Sequence, residues 1–116
     1  MENSGWVGFD LDGTLAKYET WNGGVIGEPV PAMVEKVREF TLKGVECRIV
    51  TARVSHMATP LERHRQTTAI VAWCHKHLGF ELAVVCEKDF GMWALYDDRA
   101  VAVEKNTGRI LGGSPS

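Results

Sequence analysis

The chain has 116 residues, enough for one compact domain and too few for two. Hydrophobic residues make up 45% of it and charged residues 24%, an ordinary globular balance, with a formal net charge of −2. Such a charge leaves no basic footprint for stable nucleic-acid binding or an anionic membrane, and no apolar run approaches the roughly 20 residues of a membrane helix.

Met1-Glu2-Asn3-Ser4 lacks a basic start followed by an apolar stretch, so no secretory signal is expected. Cys47, Cys74 and Cys86 are odd in number and far apart, which fits packed, reduced thiols in a cytoplasmic protein better than a disulfide frame or a zinc site. A single domain over 1–116 is predicted, with a folded core over about 5–111 and residues 112–116 as a flexible tail.

In chain order, Trp6-Val7-Gly8-Phe9 predicts a buried strand that stops at Asp10. An amphipathic helix follows from Pro31 to Lys43, with Met33, Val34, Val37, Phe40 and Thr41 on one face and Gly44 as its stop. Val45 to Val50 reads as a second strand, ending at Thr51. A second helix is predicted over about Pro60 to His77, its apolar side supplied by Leu61, Ile70, Val71, Trp73, Cys74 and Leu78, with Gly79 after it. Leu82 to Cys86 and Trp93 to Tyr96 give two further strands, the last stopping at Asp97. Val101-Ala102-Val103 and Arg109-Ile110-Leu111 flank a turn at Asn106-Thr107-Gly108 and read as two short strands.

Continuous apolar strands alternating with helices predict an α/β fold: a Rossmann-like three-layer sandwich with a mostly parallel sheet and helices on both faces. Ligands of such sheets bind beyond the carboxyl ends of the strands. The polar residues there are Asp10, Thr51, Asp97 and Asp98, with Lys88 a little beyond the third strand.

Phe9-Asp10-Leu11-Asp12-Gly13-Thr14-Leu15 carries the strongest chemical signal. Two like charges about 4 Å apart repel by roughly 4 kcal/mol at an effective dielectric near 20. A divalent cation removes that cost, and magnesium suits a site with few carboxylates and a bound phosphate. Asp-Gly by itself is also a common turn. Tyr96-Asp97-Asp98-Arg99 sets a second acid pair after another apolar strand; read alone, it is also a solvated loop with an Asp-Arg pair. Thr51-Ala52-Arg53 offers a hydroxyl and a guanidinium, both natural phosphate donors, although Thr51 also suits a helix cap. Lys88 could act as a point charge on the same phosphate, or stand solvated as most lysines do.

Together these segments, from Trp6 to about Leu111, resemble the haloacid dehalogenase superfamily of phosphohydrolases, through DxDGT followed by Leu15 and the order acid pair, threonine, lysine, acid pair. The resemblance implies a magnesium-dependent phosphatase. Asp10 would be the nucleophile and a magnesium ligand. Asp12 would be the general acid and then base, its backbone carbonyl also holding the metal. Thr51, Ala52, Arg53 and Lys88 would bind the phosphoryl group. Asp98 would be a direct ligand, with Asp97 a ligand or just behind one.

Many relatives carry a cap domain, and Ala16 to Val30 is too short for one. With Trp21, Asn22, Gly23 and Gly24 it suggests a small flap or hairpin, on which Trp21 either touches substrate or packs. An open site suits a phosphorylated small molecule or the phosphorylated end of a macromolecule. Arg53 and Arg99 add a looser similarity to the phosphatase domain of phage polynucleotide kinases, so a nucleotide and a phosphorylated nucleic-acid end both stand among the candidate substrates. His75 and His77 are two apart on a helix and His64 is at ligand spacing to neither, so solvated or capping roles are expected of them and of His56. The competing readings are a non-catalytic phosphate- or metal-binding module, a phosphotransferase, and a carbon dehalogenase. The dehalogenases usually lack the acid that stands here as Asp12.

Overall fold

The computed structural model describes residues 5–112. The expected loose start at residues 1–4, and the expected tail beyond Gly112, lie outside them. Both predicted helices and the first four predicted strands form, with ends within a residue of expectation: β1 (Trp6–Asp10), α1 (Pro31–Leu42), β2 (Glu46–Val50), α2 (Pro60–His77), β3 (Ala83–Val85) and β4 (Met92–Tyr96). A 3-10 turn at Ala52–Val54 adds to them.

Local chemistry accounts for the helix ends. Pro31 and Pro60 occupy first-turn positions, where a missing N–H removes no helical bond. The Thr59 side chain accepts from the Glu62 backbone N–H at 3.1 Å, one half of a capping box. Gly44 and Gly79 then let the chain leave each helix at positive φ.

The four strands lie in the order β3-β2-β1-β4, and every pairing is parallel. This is the predicted α/β class. Right-handed crossovers that step the same way across a sheet set their helices on one face. Accordingly, Val34 and Val37 of α1 and Ile70, Trp73 and Cys74 of α2 meet Val7, Phe9, Cys47 and Ile49 in one buried cluster. Phe9 stacks on Tyr96 at 4.8 Å, and Phe40 meets both rings edge-on. Helical packing is thus concentrated on one face, because the short connection from β3 to β4 carries no helix. On the other side Trp6, 2% exposed, lies beneath the Arg48 guanidinium at 4.3 Å and donates from Nε1 to Asp89.

The excursion between β1 and α1 is a flap rather than a domain. Ala16 pairs with Pro29, and Lys17 N–H donates to the Glu28 carbonyl at 2.8 Å, closing its base. The two short strands expected around residues 106–108 reduce to a single bridge, Val103 with Ile110. The turn forms, with Asn106 and Gly108 at positive φ, but neither flank joins the sheet that would extend it.

Candidate active site

β1 lies between β2 and β4, so the chain leaves it one way across the sheet and later returns on the other side. In an open parallel sheet that reversal leaves a crevice at the carboxyl ends of the strands. It opens here into a cavity of about 900 Å³, lined by Asp10, Asp12, Thr51, Arg53, Asp97 and Asp98 among others. A smaller hollow of about 420 Å³ holds Arg48, which pairs with Asp89 at 3.6 Å, and His56, whose Nε2 lies 3.9 Å from Glu87.

Asp10, Asp97 and Asp98 each place a carboxylate oxygen within 4.8 Å of the other two. Backbone fit makes that approach feasible. Gly13 sits at φ +93°, and a Cβ there would meet Asp98 Oδ2 at 2.6 Å, so only glycine lets Asp98 in. Thr14, 7% exposed, then donates from its hydroxyl to Asp98 Oδ1 at 2.9 Å and accepts from the Asp98 N–H at 2.9 Å. Burial pushes Asp10 up from 3.8 to about 7, helped by a hydrogen bond with Asp98 and the charges of Asp97 and Asp98. Three acids crowded in this way are short of a positive charge, and oxygen donors suit a hard divalent cation. No protein family, curated protein or solved structure matches the chain.

The Asp12 side chain stands outside that triad. Its two oxygens accept from the Arg53 fork, Nε to Oδ2 at 2.7 Å and one terminal nitrogen to Oδ1 at 2.9 Å. Thr51, 3% exposed, directly follows β2 beside Asp10's strand, and its Oγ1 accepts from the Arg53 backbone N–H at 3.1 Å. It does cap the 3-10 turn, yet its O–H is left to donate into the cavity that it lines. Ala52 also lines the cavity. Lys88 stands exposed on the loop after β3, outside the residues lining the cavity. Arg99 is the cation found at its wall beside the acid pair, and its backbone N–H donates to Asp97 Oδ1 at 2.8 Å.

Thr14, Gln66 and Tyr18 stood outside the expected site, and Gly24 was expected only as part of the flap. Thr14 was readable in principle, because a hydroxyl directly after Asp-Gly suits a carboxylate clamp. Gln66 and the Gly24 carbonyl, which both accept from Arg53, carry no sequence signal, since each meets it only through the fold. Tyr18 and Trp21, 47% and 59% exposed, stand at the mouth of the cavity.

Proposed function

We propose that the protein is a magnesium-dependent phosphomonoester hydrolase of the haloacid dehalogenase kind, acting through an aspartyl-phosphate on Asp10. The observation that carries this reading is the acid triad at the carboxyl end of a parallel sheet, set beside the buried Thr51. Asp10, Asp97 and Asp98, with the Asp12 backbone carbonyl, would hold the magnesium. When bound, it keeps Asp10 ionised and offsets negative charge on the phosphoryl oxygens.

Phosphate monoesters hydrolyse so slowly in water that enzymes supply up to about 10²¹-fold acceleration. Two displacements divide that barrier. A carboxylate oxygen of Asp10 attacks phosphorus; a P–O bond forms to Asp10 while the bond to the ester oxygen breaks. The leaving oxygen takes a proton from Asp12 and departs as an alcohol. Water then attacks the same phosphorus, gives a proton to Asp12, and inorganic phosphate leaves with Asp10 restored. The Thr51 hydroxyl donates to the phosphoryl group throughout, and Arg99, at the cavity wall, is the cation next to the acid pair.

The substrate is a phosphorylated small molecule, a nucleotide included, or a phosphorylated macromolecular end, since the flap leaves the site open. Free Cys47, Cys74 and Cys86 accord with a reducing, cytoplasmic setting. Among the described residues no helix is long and apolar enough to cross a membrane.

The test is turnover of an aryl phosphate, nucleoside monophosphates, sugar phosphates and a 3′-phosphorylated oligonucleotide with added magnesium. Asp10→Asn is expected to lower kcat by on the order of a thousandfold or more, as loss of a nucleophile does. Normal turnover by Asp10→Asn overturns the mechanism. Magnesium binding without turnover by the wild type on any substrate would instead indicate a binding module.

A further inference from the structure

We propose that Arg53 is a positioning residue that ties the flap to the acid–base carboxylate Asp12, rather than a ligand of the substrate phosphate. This rests on the phosphatase reading above, in which Asp12 moves the proton.

The geometry carries it. A guanidinium has five N–H donors in a rigid fork. In Arg53, Nε and one terminal nitrogen donate to the two oxygens of Asp12. The other terminal nitrogen donates to the Gly24 carbonyl at 2.7 Å and to Gln66 Oε1 at 3.1 Å. Its side chain is 6% exposed, and the guanidinium lies 5.4 Å from the Trp21 ring centre. A phosphate-binding arginine presents its fork to the ligand; this one presents it to Asp12.

Three elements therefore converge on one rigid group: the turn after β1 through Asp12, the flap through Gly24 and Trp21, and α2 through Gln66. Because the guanidinium is planar, a shift of the Gly24 carbonyl is felt at Asp12, and the flap and the Asp12 carboxylate do not move independently. A flap in place holds both oxygens of Asp12 on Arg53 and so keeps that carboxylate in one orientation for proton transfer.

Two measurements on the full chain test this. In the first, kcat of wild type and Arg53→Lys is compared on an alkyl phosphate and on 2,4-dinitrophenyl phosphate, whose leaving group needs no proton. Loss of aligned proton transfer is expected to lower the alkyl rate about a hundredfold and the activated rate by less than about tenfold. An equal loss on both, with weaker inhibition by inorganic phosphate, overturns the proposal, because that is the mark of a phosphate ligand.

The second measures amide hydrogen exchange of the flap in wild type, Arg53→Gln and Asp12→Asn, which keeps the shape of the carboxylate. Exchange over residues 17–28 is expected to rise severalfold in both variants while β1 stays protected. Unchanged flap exchange in both overturns the coupling. A wild type without magnesium-dependent turnover refutes the phosphatase reading instead, and flap exchange then decides the coupling alone.

Discussion

Gly13 shows how one backbone position sets the chemistry around it. Its φ of +93° disfavours any side chain, and a Cβ would drive into the Asp98 carboxylate. Gly13→Ala is expected to destabilise the fold by roughly 1–3 kcal/mol, the usual range for a non-glycine residue held in a left-handed conformation. Urea titration checks the stability change. The same variant should lose most of its magnesium response, because Asp98 must move aside; an unchanged response would mean that Asp98 is no ligand. Thr14 acts on the same carboxylate, its hydroxyl holding Asp98 Oδ1 at 2.9 Å.

At the scale of elements, α2 deserves its stability to its ends as much as to its packing. The Thr59 hydroxyl oxygen satisfies an N–H that the helix cannot. Thr59→Ala is expected to cost about 1 kcal/mol, read as a lower denaturation midpoint at constant slope. The boundaries of this helix and of α1 were legible in the sequence, because proline and glycine act within a single turn. The pair of short strands near residue 106 was not. Its turn chemistry is local and correct, but pairing beyond one bridge needs a neighbouring strand that the fold does not supply.

For the whole molecule, the acid triad couples folding to pH and to metal. Asp10 titrates near 3.8 when exposed and near 7 in the folded, metal-free protein. Between those values the folded chain keeps a proton that the unfolded chain has lost. Stability therefore falls as pH rises from about 4 to about 7, and levels off above that range. Urea midpoints of the metal-free protein should be higher at pH 5 than at pH 8, after allowing for other groups by repeating the pair in Asp10→Asn. Magnesium favours the ionised triad, so at pH 8 a concentration about 100 times its Kd should restore roughly 2.7 kcal/mol. An identical pH response in wild type and Asp10→Asn would place the linkage elsewhere.

The sequence by itself determined the α/β class, the ends of the helices, and the acids at the ends of two strands, because hydrophobic period and capping are written within a few residues of where they act. Only the tertiary structure decided which of those acids meet. Parallel crossovers can step either way across a sheet, so nothing local says that β4 returns beside β1 and brings Asp98 to a threonine 84 residues earlier. Nor does composition reveal that Arg53 turns its fork to Asp12, since a guanidinium suits a carboxylate and a phosphate alike, and only the fold brings Asp12 within 3 Å of it.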